Sequence, residues 1–277
     1  MTRDDAESAF ALLASDIRLR ILETLVDVPQ QEPLSFTELY DAVDAANTSQ
    51  FSYHLKELTE QYVQHQETGY VVTDAGRRIV QSIKADEYTL QPKFDPVAIE
   101  THCPYCGATA AEATYDGRLA TIDCLSCANT VLRYELRPGH VAKRSSLRAL
   151  EAADRQMRGE LCSAVDGVCQ RCGGSMKLEF ITGKEVDPAT VLVVCECQHC
   201  MTTLSVPIEV ALLHHPEVIA KFWDDNLNVT TTPTWELLSE ISDWDVELDA
   251  SDGIMVEFSG NKHLRFELER EEETQLW

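Results

Sequence analysis

The sequence predicts an α+β multidomain chain: a helical N-terminal domain carrying a β-hairpin, two small β modules clasped by cysteines, and a C-terminal helix followed by an antiparallel β-meander. Three observations lead there. The first third carries helix caps and apolar stripes at helical spacing. The middle holds four Cys-x-x-Cys pairs in two similar blocks, and the end breaks into short runs that alternate apolar with polar. A length of 277 residues accommodates several domains of this size. The expected boundaries are 1–88 for the helical domain, 89–101 for a linker and 102–140 for the first cysteine module. A connector helix at 141–163, the second module at 164–206 and a C-terminal α+β segment at 207–277 complete the chain.

Residues 5–28 read as two helices. Ala9, Phe10 and Leu13 line the first; Ile17, Ile21, Leu22 and Leu25 line the second, with Ser15 as its cap and Arg18 and Arg20 on its solvated face. After Pro29 and Pro33, Ser35-Phe-Thr-Glu38 forms a capping box, and Phe36, Leu39, Tyr40 and Val43 recur on one helical face. Asp44-Ala-Ala-Asn47 turns the chain, and Thr48 or Ser49 caps a further helix with Phe51, Leu55 and Leu58 buried. Thr48, Ser49, Gln50, Tyr53 and Lys56 are left outward near its start. An extended segment from Tyr62-Val63, a polar stretch from His65 to Gly69 and Tyr70-Val71-Val72 fit a two-stranded wing. Thr73-Asp74 then caps a helix with Ile79, Val80 and Ile83 inward. A generic helical hairpin with an appended β-hairpin is the plainer alternative. Capping, turn, stripe and wing agree in order, which favours a winged helix-turn-helix of the kind that meets a major groove.

Several residues carry a family resemblance: Leu13-Ala-Ser-Asp16, Arg18-Leu-Arg-Ile-Leu22, Ser49-Gln-Phe-Ser-Tyr-His-Leu55, Leu58 and Gly69-Tyr70. On these the first third of the chain resembles the arsenic-repressor-like (ArsR) winged-helix transcriptional regulators, in the form common in halophilic archaea. The resemblance implies double-stranded DNA as partner, with the start of the recognition helix on base edges and the wing on the backbone. Carried over residue by residue, the DNA-binding set is Thr48, Ser49, Gln50, Ser52, Tyr53, His54 and Lys56 with Gly69 and Tyr70 in the wing. It also implies a homodimer paired through the first and last helices of this domain. Two departures stand out. Family members often carry Gly where this chain has Gln61 or Tyr62, and the family's metal-sensing cysteine pair is absent.

Lys and Arg total 23 against 47 Asp and Glu, a formal net charge of −24. That balance is unusual for a nucleic-acid binder, whose affinity comes largely from neutralising phosphates. A lysine-poor acidic surface suits a protein hydrated in molar salt, where charges are screened within about 3 Å. The charge is therefore read as a solubility device. No run of some 18 apolar residues and no signal peptide are evident, so a cytoplasmic protein without membrane partners is expected. Ten cysteines, mostly paired, then argue for metal rather than disulfides.

Cys103-Pro-Tyr-Cys106 and Cys124-Leu-Ser-Cys127 flank strand-like 111–115 and 119–122 around an Asp116-Gly117 turn, with another strand at 130–134. Two knuckles at the ends of a hairpin aim four thiolates at one centre, which is the pattern of a zinc ribbon. The pattern repeats with Cys169, Cys172, Cys197 and Cys200, strands at 175–181 and 190–195 and a turn at 182–184. Two structural zinc ions are expected, with Zn–S near 2.3 Å. Cys195 is expected to pack as an apolar residue, His199 to point away, and Cys162 to be buried in the core.

Between Arg133 and Arg148, Arg133, Arg137, Lys143, Arg144 and Arg148 face the single carboxylate Glu135. The strip reads as a solvated connector or, more sharply, as a phosphate contact. Ser145-Ser146 opens a helix lined by Leu147, Leu150, Ala153 and Met157. Residues 207–223 read as a helix interrupted near Pro216, where the adjacent His214-His215 point apart and make a poor metal pair. A short helix at 235–241 precedes strands at 244–249, 254–258 and 263–268, with turns at Asp252-Gly253 and Gly260-Asn261 and one buried face. From Trp235 on, thirteen carboxylates oppose three Lys/Arg, so this end should avoid DNA.

No catalytic motif appears, and a closed four-thiolate site leaves zinc no open position, so the chain is not expected to be an enzyme. The expected function is sequence-specific transcriptional regulation. The alternatives are a basal accessory contacting the transcription machinery, similar in outline to archaeal transcription initiation factor E, and a zinc-thiol redox sensor.

Overall fold

In a computed structural model the described residues are 3–29, 32–86, 93–181, 191–241, 244–248, 254–258 and 264–268. The chain divides into two compact units, Met1–Leu90 and Gln91–Trp277.

The first unit runs α1 (Arg3–Ala11), α2 (Asp16–Val26), α3 (Phe36–Val43), α4 (Thr48–Leu58), β1 (Val63–Gln66), β2 (Gly69–Val72) and α5 (Asp74–Lys84). Its core joins Ile21 and Leu22 of α2, Leu39 of α3, Phe51, Leu55 and Leu58 of α4, Val63 and Val72 of the hairpin, and Val80 of α5. Both arms of the capping box form, Glu38 N–H donating to Ser35 Oγ and Ser35 N–H to Glu38 Oε2. The chain then turns at Asp44, which is left-handed at φ 51°. Thr48 is already helical, so the cap of α4 falls one residue earlier than expected, on Asn47, whose Oδ1 accepts from Gln50 N–H at 2.7 Å. Ser15 holds the N-cap position of α2, but its hydroxyl caps no N–H.

Two assignments in the first helices change. Phe10 is 68% exposed rather than lining a core. Arg18 is buried, not solvated: its guanidinium donates to the Leu12 carbonyl, to His54 Nδ1 and to Glu57. The hairpin pairs in register from Val63↔Val72 to Gln66↔Gly69. Its outer strand also bonds the segment before α3, with Leu34 and Tyr70 exchanging backbone hydrogen bonds. Gly69 is required there, because a Cβ would lie 2.3 Å from the Leu34 carbonyl oxygen. The left-handed turn into the hairpin is made by Glu60, at φ 85°, and not by Gln61 or Tyr62.

The second unit begins with β3 (Val97–Glu100), a strand inside the stretch expected to be linker. Pro92 and Pro96 end any helical pattern, but Val-Ala-Ile-Glu alternates well enough to pair with the following strand, Val97 opposite Ala113. With β4 (Ala110–Tyr115), β5 (Leu119–Cys124) and β6 (Thr130–Glu135) it forms an antiparallel sheet of order β3-β4-β5-β6. The hairpin turn is locked by Asp116 Oδ1, which accepts from Arg118 and Leu119 N–H, with Gly117 left-handed. After α6 (Pro138–Val141) and α7 (Ser146–Val165), β7 (Met176–Ile181), β8 (Leu192–Cys197) and β9 (Thr203–Pro207) make a second antiparallel sheet, order β7-β8-β9. Helices α8 (Ile208–Leu212), α9 (Pro216–Asp224) and α10 (Thr234–Ile241) follow. Strands β10 (Asp245–Leu248), β11 (Ile254–Phe258) and β12 (Leu264–Leu268) close with the expected antiparallel meander. The turns at 182–184, 252–253 and 260–261, and the face the meander buries, lie outside the described residues.

Helix α7 is more than a connector. Its N-terminal half sends Leu150 and Ala153 into the first sheet's core with Ile122, Tyr134 and Trp235. Its C-terminal half sends Leu161, Ala164 and Val165 into the second, with Phe180, Val193, Ile208 and Leu237. Leu147 is 39% exposed and stands outside that stripe, and Cys162 is half-buried. Buried Asp154 accepts from Tyr134 Oη at 3.0 Å and from Thr234 N–H at 3.2 Å. One turn on, Arg158 donates to the carbonyls of Thr232 and Val229.

His214 and His215 fall in the break between α8 and α9. His215 caps α9 through Nδ1, and the buried His214 Nδ1 meets no partner. Burial, with Arg158 second, holds the His214 imidazole down to about pH 4. The unfolded chain, with an ordinary imidazole near 6.5, then binds the proton more readily. Stability on this account is complete above that value and lost as pH falls toward 4. His214→Gln should flatten the pH dependence of stability between 4 and 6.5, by up to about 3 kcal/mol relative to the unsubstituted chain. Denaturant titrations across that range check it; parallel curves for the two proteins would refute it.

Candidate functional site

Each cysteine pair sits in the same tight turn. Cys103 O accepts from Gly107 N–H, Cys124 O from Ala128 N–H, Cys169 O from Gly173 N–H and Cys197 O from Met201 N–H. In every case the residue four past the first cysteine is left-handed, with φ of 70°, 60°, 74° and 60° at Gly107, Ala128, Gly173 and Met201. Glycine adopts that conformation freely, while Ala128 and Met201 hold it at a cost. The turn aims both thiols of a pair inward. The hairpin β4–β5 in one module and β7–β8 in the other brings the two pairs together.

In each module the four sulfurs lie within 4.8 Å of one another: Cys103, Cys106, Cys124 and Cys127, then Cys169, Cys172, Cys197 and Cys200. Cys103 and Cys127 are 3.7 Å apart, as are Cys106 and Cys124 and also Cys169 and Cys200; Cys172 and Cys197 are 3.5 Å apart. A tetrahedron with metal–sulfur bonds of about 2.3 Å has edges of about 3.8 Å, so the donors fit such an ion. These spacings are far beyond a disulfide bond. Backbone N–H groups support the sulfurs as they would support thiolates: Ser126 donates to Cys124, and His199 and Cys200 to Cys197.

The thiol acidities divide accordingly. Backbone donors from Cys127 and Ser126 bring Cys124 down to about 6, and the Thr202 hydroxyl and N–H do the same for Cys200. The Ala108 N–H also favours the Cys106 thiolate, but protons shared with the neighbouring thiols outweigh it and push Cys106 up to about 12. Four thiolates cannot ionise together at this spacing without a cation among them. Cys195 and His199 stand outside both sets; burial lifts the Cys195 thiol to about 11, in keeping with an apolar role.

The expected DNA-contacting residues separate into two groups. Thr48, Ser49, Gln50, Ser52, Tyr53 and Lys56 are exposed on α4. His54 is half-buried, and its Nδ1 accepts from Arg18 Nε at 3.2 Å. Burial first and Arg18 second keep it neutral to lower pH than usual, and the Arg18 guanidinium also lies 5.9 Å from the Tyr53 ring centroid. Gly69 is buried against Leu34, and Tyr70 is half-buried with its ring 4.5 Å from His65. Those two hairpin residues hold the hairpin to the domain. Sequence reasoning missed Arg18, although it falls on the stripe of Ile21, Leu22 and Leu25.

A family described as a domain of unknown function, DUF7351, matches residues 100–271, more than half of the chain. The chain belongs to the DUF7351 family. A second domain of unknown function, DUF7347, matches residues 6–83. No curated protein and no solved structure matches the chain.

The DUF7351 segment contains both four-cysteine clusters, α7 and the meander; the DUF7347 segment contains α2 to α4, the hairpin and all of α5 but its last residue. Within DUF7351 the basic strip is largely engaged. Arg137 pairs with Glu160 at 2.9 Å, Arg148 with Glu151, and Arg144 donates to the carbonyls of Gly139 and His140. Arg133 and Lys143 remain exposed. Among the described residues no helix is long and apolar enough to cross a membrane.

Elemental analysis should find two metal equivalents per chain. Cys124→Ser should leave one and Cys124→Ser with Cys197→Ser none, each loss unfolding the local hairpin while Met1–Leu90, with its own core, melts unchanged. One equivalent or none in the unsubstituted protein would overturn the assignment.

Proposed function

We propose that the protein is a sequence-specific, DNA-binding transcriptional regulator, in which residues 3–86 act as a winged helix-turn-helix of the arsenic-repressor-like type. On this reading α4 enters the major groove, β1–β2 is the wing, and the two four-cysteine clusters hold structural zinc ions. The observation that carries it is the outward face of α4. Thr48, Ser49, Gln50 and Tyr53 stand exposed in the first two turns of a helix whose opposite face, Phe51, Leu55 and Leu58, is fully packed. Side chains in that position reach base edges, and the capped N-terminus of α4 turns its positive end toward phosphate. Zinc is favoured because tetrahedral four-thiolate sites are its usual structural environment. A homodimer is supported by Phe10, a large aromatic exposed on the first helix, where the resembling family pairs its subunits.

Gln50 suits bidentate recognition of adenine. Gln50→Ala should cost about 1–3 kcal/mol against the preferred site and little against random duplex. The site is selected from a random duplex pool and titrated by fluorescence anisotropy in concentrated potassium salt. An unchanged preference would mean that α4 is not the reading helix. The alternative of a basal accessory resembling archaeal transcription initiation factor E shares the pairing of a helical domain with cysteine-clasped modules. It would show as co-purifying RNA polymerase and binding without sequence preference.

A further inference from the structure

Between the two four-cysteine modules, within Gln91–Trp277, lies an open cleft of about 890 Å³. Its floor is α7, through Ala153, Gln156 and Met157; one wall is β6 and the other β9. Both walls are sheet edges, since β6 ends the order β3-β4-β5-β6 and β9 ends β7-β8-β9. Among the described residues no backbone hydrogen bond joins them. An edge strand presents alternate unpaired N–H and C=O groups, a template for a further strand. The β6 edge is blunted by an irregularity that leaves Val131 out of register. The β9 edge has none: it pairs with β8 in unbroken register, and only Pro207, at its end, lacks an N–H.

The side chains around the cleft say what such a strand would carry. Tyr105, inside the first knuckle, is 51% exposed and Met201, at the end of the second, is 79% exposed; both line the cleft. They stand above an apolar floor at Met157. The charge is opposite in sign to the chain's −24. Arg118, in the β4–β5 turn, and Arg133, on β6, are exposed on this side, Arg137 is neutralised by Glu160, and Glu135 is the one other carboxylate lining the cleft.

We propose that this cleft binds an extended, acidic peptide segment of a partner protein, added to β9 as a fourth strand. Its main chain pairs with Thr203–Val206, its alternate apolar side chains rest on Met157, Tyr105 and Met201, and its carboxylates face Arg118 and Arg133. Strand addition of this kind takes affinity from the main chain and specificity from every second side chain. Double-stranded DNA is the weaker occupant, because it has no amide to pair with a strand edge. The proposal does not depend on whether α4 reads DNA.

The test uses the full chain loaded with metal and a displayed library of random linear peptides. Selection should enrich sequences alternating apolar residues with Asp or Glu. An enriched peptide should slow hydrogen exchange in 203–206 and lose binding when its alternate amides are N-methylated, a change that leaves the protein untouched. Arg133→Glu, at an exposed position, should weaken it about tenfold with metal content and melting unchanged. No enrichment, a footprint away from β6 and β9, or indifference to N-methylation would overturn the proposal. So would the same protection produced by duplex DNA, or by raising the protein's own concentration, which would make a second copy the occupant.

Discussion

The Asp154 carboxylate, buried midway along α7, is the contact on which Gln91–Trp277 depends. Neither of the two cysteine-bearing sheets is large enough to bury a full core on its own, and α7 is shared between them. A helix serving two cores must be fixed in rotation and along its axis. Apolar packing alone specifies that poorly, because ridges can slip by a turn. Asp154 and Arg158 remove the freedom. The carboxylate is met by Tyr134 from β6 and the Thr234 N–H, and the guanidinium by the Val229 and Thr232 carbonyls. Burial raises the Asp154 pKa and lowers that of Arg158, so each charge is kept at a cost. A well-packed apolar replacement could be as stable, but it would not set the register so sharply.

The cysteine knuckles are built on the same two sheets. Each hairpin holds two cysteine turns at the separation one ion requires. Yet Ala128 and Met201 sit in left-handed turns that cost free energy, and the thiols of a set resist joint ionisation. Both costs are offset only when a cation occupies the centre. Fold and metal would then form one equilibrium in these modules, whereas Met1–Leu90 contains no cysteine and closes a mainly apolar core with Arg18 buried beside it.

What the sequence made legible follows from range. Caps, knuckles, stripes and hairpins are set by residues within a few positions, and the capping box at Ser35, the eight clustered cysteines and the order of elements all read through. Misreadings came where a distant partner decides. The strand β3 is visible only with β4 beside it. Gly69 answers to Leu34 across the hairpin, and α7 looked solvated because its buried face carries Asp154 and Arg158 among the apolar residues. Arg18 failed for the same reason: a guanidinium on an apolar stripe is assigned to solvent until His54, Glu57 and the Leu12 carbonyl are seen around it.

The placing of the cations bears on how an acidic chain could hold DNA at all. Arg18 and Arg158 are buried, and Arg137 and Arg148 are paired with glutamates. On the proposed reading these four arginines contribute little to displacing counterions from a duplex, and the affinity would fall more slowly with salt than the cation count alone suggests. In molar salt that is an advantage, because the counterion term is nearly exhausted for any protein. Recognition would rest on short contacts instead: hydrogen bonds from Gln50 and Ser49, the capped start of α4, and a His54 whose Nδ1 is already taken by Arg18. With Nδ1 as acceptor the imidazole proton sits on Nε2, leaving one neutral donor whose direction Arg18 sets. On the proposed reading the acidic surface and the outward face of α4 would not conflict, since one serves long-range hydration and the other contacts that screening does not reach.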